Sequence, residues 1–167
     1  LQMARYISML ANGGKKIDVS IVKTIRNSNG SEVSREEINQ FVRKKLGLEE
    51  EESEDIQINQ NYLKAVLEGM KSVTSDTGGT AYVRFKDFNI SVGGKTGSAE
   101  APNNQVHAWF VGFAPFENPE IAIVVMVENG GHGNYTAEVV RDIMAEYFGM
   151  NMQNVEEDMS ATPYIEI

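Results

Sequence analysis

The chain opens on a helical rhythm, with Met3, Ile7 and Leu10 recurring on one face. Gly13 and Gly14 follow where a left-handed turn would stop the helix. No capping residue precedes Leu1, so the pattern reads as one already under way, as in a chain cut from inside a larger protein. Ile17 to Ile25 reads as a short strand leading into a turn at Asn27 to Gly30. Ser34, with Glu37 three residues on, forms a capping box, and Ile38, Phe41, Val42 and Leu46 continue at helical spacing, so a helix is predicted over 34–46. Leu63, Val66, Leu67, Met70 and Val73 mark the most strongly amphipathic helix, which runs out toward Thr77-Gly78-Gly79.

Beyond that point the period shortens. Ile90 to Val92, Lys95 to Glu100, Val106 to Phe113 and Ile121 to Val127 read as strands, rich in Val, Ile, Phe and Trp and separated by Gly, Pro and Asn. A parallel crossover needs about a dozen residues or more. The connections Ala101 to Gln105 and Ala114 to Glu120 are too short for one, so the last three strands should form an antiparallel meander in sequence order. Val139, Val140, Ile143, Met144, Tyr147 and Phe148 then give a closing helix that stops at Gly149. The expected fold is α+β: a three-stranded antiparallel meander flanked by helices over 1–149, followed by an acidic tail, 150–167, without periodicity.

Composition narrows the chemistry. The chain has 167 residues, 41% of them hydrophobic, enough for one domain with a real core. It holds no cysteine, which removes disulfides, zinc-thiolate sites and thiol nucleophiles. No apolar run reaches the roughly 18 residues of a membrane span, and no basic-then-apolar leader opens the sequence. A net charge of −9 speaks against nucleic acid as a partner, since phosphate backbones reward clustered Lys and Arg. Six of the seven residues from Glu49 to Asp55 are acidic. Lacking a glycine turn and alternating oxygen ligands, that run reads as a solvated loop rather than a calcium site. His107 and His132 have no carboxylate partner at metal-ligand spacing.

The stretch Gly93-Gly94-Lys95-Thr96-Gly97-Ser98-Ala99-Glu100 admits two chemistries. A phosphate-binding P-loop needs a glycine where Asn89 stands and a helix directly after the lysine, which Gly97 and Pro102 oppose. The other is the Lys-Thr-Gly strand of serine acyl transferases. There the ammonium supplies positive potential, the hydroxyl can hydrogen-bond a substrate carboxylate, and glycine lets a substrate backbone lie against the strand. The N–H of the next residue can stabilise a developing oxyanion. Three residues alone recur by chance, so the surroundings decide between an exposed strand end and a site.

Those surroundings are Leu1-Gln2-Met3-Ala4 running to Ala11-Asn12-Gly13-Gly14, Leu67-Glu68-Gly69-Met70, Gly79-Thr80-Ala81, Ala108-Trp109-Phe110-Val111-Gly112-Phe113-Ala114-Pro115 and Val127-Glu128-Asn129-Gly130-Gly131. In that order, around Gly94 to Glu100, they resemble the C-terminal part of the transpeptidase domain of class B penicillin-binding proteins, most closely the elongation type, over residues 1 to about 149. The resemblance implies a D,D-transpeptidase that cross-links peptidoglycan stem peptides through a serine acyl-enzyme, is acylated by β-lactams and uses no cofactor. It further implies the extracytoplasmic face of a bacterial cell membrane, reached through an N-terminal anchor. Two other readings compete: a class D β-lactamase or β-lactam sensor, which pairs similar strands, and a noncatalytic interaction module keeping the fold. The opening helix and Lys95 to Glu100 favour the penicillin-binding protein.

Carried over residue by residue, the resemblance makes Lys95 the triad lysine, Thr96 the carboxylate-binding hydroxyl, Gly97 the spacer and Ser98 the oxyanion donor through its backbone N–H. Many relatives have threonine where Ser98 stands, which leaves the backbone role untouched. Family members also carry an upstream Ser-x-x-Lys, whose serine is the nucleophile, and a Ser-x-Asn. No Ser-x-Asn occurs here, and the one Ser-x-x-Lys, Ser20 to Lys23, lies in a strand-like run where serine and lysine would face opposite ways. It reads as a chance match. The nucleophile is therefore expected outside this chain, which alone should be inactive and should associate with the upstream portion of its own protein, or with itself. Trp109 and Phe110 alternate faces and are both read as core, and Glu100 as a solvated side chain.

Overall fold

The computed structural model describes residues 1–17, 19–47 and 56–150. Helices α1 (Gln2–Ala11), α2 (Arg35–Leu46) and α3 (Gln60–Ser75) lead through a one-turn helix α4 (Tyr82–Phe85) into strands β1 (Gly93–Ala101), β2 (Gln105–Ala114) and β3 (Ile121–Val127), and α5 (Asn134–Tyr147) closes the order. The strands form one antiparallel sheet in the order β1-β2-β3, so the meander follows the chain as its short connections require. A single 3-10 turn at Pro102–Asn104, with Asn103 and Asn104 at positive φ, makes the β1–β2 connection.

Alternation along the strands divides the interior in two. Val111 and Phe113 pack with Ile7 and Leu10 of α1 and Leu63 and Met70 of α3 on one face. On the other, Phe110 and Ile123 pack with Phe85 of α4 and Ala137, Val140 and Met144 of α5. Helices thus cover both faces of the sheet. The sheet has two edges among the described residues, β1 and β3, each paired only with β2; the β1 edge carries the Lys95 segment. α3 approaches that edge, and the Thr74 hydroxyl donates to the Val92 carbonyl at 2.5 Å.

Helix α1 ends as its glycines require: Gly13 and Gly14 both have positive φ, and Gly14 is packed 3.0 Å from the Ile56 carbonyl by the measure of an added Cβ. The predicted helix over 34–46 is α2, capped by Ser34, whose hydroxyl accepts from the Glu37 N–H at 3.2 Å, and stopped by Gly47 in the left-handed region. Its amphipathic pattern has no counterpart in packing, because α2 buries none of its residues and Phe41 and Leu46 are exposed among the described residues.

Two strand expectations fail. Ile17 to Ile25 contributes no strand among its described residues. Ile17, Val19, Ile21, Val22 and Ile25 are exposed, and the only ladder element nearby is an isolated bridge between Arg26 and Glu32 that closes the Asn27–Gly30 turn. β-branched residues form a strand only against a neighbouring edge, and among the described residues this run pairs with neither edge of the sheet. Ile90 to Val92 is likewise irregular: the Val92 carbonyl is taken by Thr74, and the ladder with β2 begins at Gly93. α4 and the 3-10 turn were not foreseen, being too short for a periodic signal. The acidic run and the tail lie outside the described residues, apart from Met150.

Candidate active site

The site begins with a glycine pair. Cβ atoms added to Gly93 and Gly94 would run into the rings of Phe113 and Phe110 respectively, one on each face of the sheet. Two aromatic side chains from β2 thus lie across the bare backbone of β1, which holds that strand flat and in register. At Lys95 the strand leaves this cover. Gly93 and Gly94 are buried, Lys95 is exposed, Thr96 and Gly97 are half-buried, and Ser98 is exposed.

The register places Lys95 opposite Val111, Thr96 opposite Phe110, Gly97 opposite Trp109 and Ser98 opposite Ala108. Lys95 and Gly97 therefore share a face with Trp109 and Val111. Together with Met3 of α1 and Thr96 they line an open, largely apolar cleft of about 260 Å³. The Lys95 ammonium donates to the Thr96 carbonyl at 2.6 Å and makes no ion pair among the described residues, so none of their carboxylates offsets its charge at the mouth of an apolar hollow.

Thr96 turns the other way. Its Oγ1 lies 2.8 Å from Oγ1 of Thr80, in the turn between α3 and α4. Above Gly97 the chain approaching α5 closes down: a Cβ on Gly133 would lie 2.8 Å from the Gly97 carbonyl oxygen and 2.7 Å from that of Trp109. The Gly131 N–H donates to the Val106 carbonyl at 2.9 Å, fixing the same segment to β2.

Of the residues singled out from sequence, Lys95, Thr96 and Gly97 come together at the cleft, while Ser98 lies one position further along the same exposed stretch. Trp109 corrects an expectation. Phe110 is fully buried as core, but Trp109 is half-buried and forms a wall of the cleft. Strand alternation puts the two on opposite faces, and the face that receives Trp109 is the one packed by α1 and α3, which bury Val111 and Phe113 but leave Trp109 open to the cleft. Ser20 does not sit on a helix. Its hydroxyl donates to the Val22 carbonyl at 3.1 Å and accepts from Arg35 at 2.8 Å in an exposed turn. His107 accepts at Nδ1 from the Asn129 N–H at 3.1 Å, and no cluster of metal-ligating side chains occurs among the described residues. Thr80 and Gly133 had no role assigned from sequence, because neither a turn threonine nor a glycine in a Gly-Gly-His-Gly run reveals what it will face after folding.

The model of the penicillin binding protein transpeptidase domain matches residues 1–145. The chain belongs to that family. It is 31% identical over 110 residues to the peptidoglycan D,D-transpeptidase MrdA of Haemophilus influenzae, covering 56% of this chain and 17% of the relative. Against penicillin-binding protein 2A of Bacillus subtilis it is 27% identical over 172 residues, covering 94% of this chain and 23% of the relative. The chain thus spans about a fifth of the length of these curated relatives. Among solved structures, Pseudomonas aeruginosa PBP2 in complex with WCK 5153 superposes with a TM-score of 0.65 at 28% identity, covering 98% of this chain and 32% of that one. A D,D-transpeptidase domain from Eggerthella lenta, at 24% identity and a TM-score of 0.64 over 90% of this chain and 32% of that one, shares the fold.

Proposed function

We propose that β1 is the Lys-Thr-Gly wall of a serine-type peptidoglycan D,D-transpeptidase, whose nucleophilic serine is supplied from outside these 167 residues. The observation that carries this reading is the Lys95 ammonium, without an ion pair among the described residues, on an edge strand beside an open cleft. An edge strand with a glycine at its centre can receive an extended peptide along its free side, as a stem peptide ending in D-Ala-D-Ala requires. Lys95 provides the positive potential that draws the terminal carboxylate and lowers the cost of proton transfer at the nucleophile. Thr96 hydrogen-bonds that carboxylate. Gly97 clears room for the substrate backbone, and the Ser98 N–H stabilises the oxyanion of the tetrahedral intermediate. A β-lactam mimics the same dipeptide and is attacked in the same way, leaving an acyl-enzyme.

On this reading the partners are stem peptides, β-lactams and the upstream portion of the same protein. The intact protein would work at the extracytoplasmic face of the cell membrane through an anchor elsewhere in the polypeptide. Among the described residues no helix is long and apolar enough to cross a membrane. Intact-mass spectrometry with penicillin tests the division of the site. The full-length protein containing this chain is expected to gain one adduct on an upstream serine, and the 167-residue chain alone none. An adduct on Ser20 of the isolated chain would overturn the proposal, since among the described residues that hydroxyl meets the Val22 carbonyl and Arg35 and no base that would activate it.

A further inference from the structure

Thr80 stands where the hydroxyl of Thr96 must be told which way to point. The two Oγ1 atoms are 2.8 Å apart, both side chains reach solvent, and either oxygen can be the donor in the free protein. Each hydroxyl has a single proton. A carboxylate can only accept, so once one is bound to Thr96 that hydroxyl must give its proton to the ligand. The Thr80–Thr96 contact then survives only with Thr80 as donor.

The backbone around Thr80 is held on both sides. A Cβ on Gly79 would collide with the Ser72 and Val73 carbonyls at the end of α3, so that glycine lies directly on the helix backbone. Ala81 is buried, and its N–H donates to the Val73 carbonyl at 3.0 Å. α3 is in turn pinned to the start of β1 by the bond from Thr74 to the Val92 carbonyl. Helix, turn and strand therefore hold the two hydroxyls at a set distance, whereas a solvent-exposed side chain on a loose turn would not keep it.

We propose that Thr80 is a positioning residue for the substrate carboxylate: by donating to Thr96 Oγ1 it leaves the Thr96 proton free and aimed at the ligand. The assignment rests on Thr96 as the carboxylate-binding hydroxyl. Thr80 itself does not touch the reacting atoms, so its effect is confined to ligands that bear the negative charge.

The test compares second-order acylation of the full-length protein by a penicillin and by the neutral methyl ester of that penicillin, in wild type, Thr80→Val, Thr80→Ala and Thr80→Ser. Loss of one hydrogen bond to a charged ligand's partner corresponds to about a tenfold slower reaction with the acid for Thr80→Val and Thr80→Ala. Reaction with the ester should change less than about twofold, and Thr80→Ser, which keeps the donor, should stay within about twofold of wild type for both ligands. Equal losses for acid and ester would show a merely structural role and overturn the proposal, as would unchanged acid rates in both Val and Ala variants. A wild-type protein that takes no penicillin at all would instead sink the transpeptidase reading, and this assignment with it.

Discussion

Gly133 and Gly97 meet backbone to backbone: a methyl group on Gly133 would lie 2.8 Å from the Gly97 carbonyl oxygen. Gly133 has φ −69, a conformation open to any residue, so what it supplies is space and not flexibility. The carbonyl of Gly133 also accepts from the Thr136 hydroxyl at 2.6 Å, which ties this close approach to the first turn of α5. Gly133→Ala should therefore destabilise the chain by about 1–3 kcal/mol through overpacking. It should also displace β1 at the glycine that ends the Lys-Thr-Gly segment. Equilibrium denaturation checks the first effect, and an alanine variant as stable as wild type would contradict the contact.

Neighbours on β2 should separate core from cleft. Phe110 is fully buried between α4 and α5, stacked on Phe85 with ring centroids 5.8 Å apart, so Phe110→Ala should cost about 3–5 kcal/mol. Trp109 leaves much of its surface at the cleft, and Trp109→Ala should cost clearly less stability while slowing acylation of the full-length protein. Denaturant midpoints of the two variants decide the matter. A larger stability loss at Trp109 than at Phe110 would reverse the assignment of faces.

At the far end of the sheet a polar clip gives a pH signature. Glu117, after β2, accepts from the Ser91 hydroxyl and from Lys71 at 2.9 Å, and the Ser91 hydroxyl accepts from the Phe116 N–H at 3.1 Å. The bond from Ser91 first, and that from Lys71 next, lower its pKa from 4.5 to about 2. Because the folded value lies below the unfolded one, the contribution is present above the unfolded pKa and is lost as pH falls through the folded one. The stability difference between wild type and Glu117→Gln should thus be constant above about pH 5.5 and shrink steadily toward pH 2. Urea titrations across that range test it, and a difference independent of pH would contradict the clip.

Much of this was legible in the sequence because it depends on local rules. The short connections dictated the antiparallel order of β1, β2 and β3, and Ser34 with Glu37 announced the start of α2. What escaped depends on distant partners. The β-branched run from Ile17 to Ile25 has strand propensity but joins no strand among the described residues, and Trp109 reads as core until it is known where α1 and α3 stop covering its face. Lys95, Thr96 and Gly97 could be found by motif. Thr80 could not, since nothing between residues 80 and 96 announces that their hydroxyls will meet.

The central claim is that Lys95 acts in acyl transfer through its charge and Ser98 through its backbone donor. Its most direct test is the second-order rate of penicillin acylation in the full-length protein for Lys95→Ala, Ser98→Ala and Ser98→Pro. Ser98→Ala keeps the N–H and should stay near wild type. Ser98→Pro deletes it and should lose about 10²–10³-fold, the effect of removing one oxyanion donor. Lys95→Ala should be far slower than Ser98→Ala. Equal rates for wild type and Lys95→Ala would contradict the account.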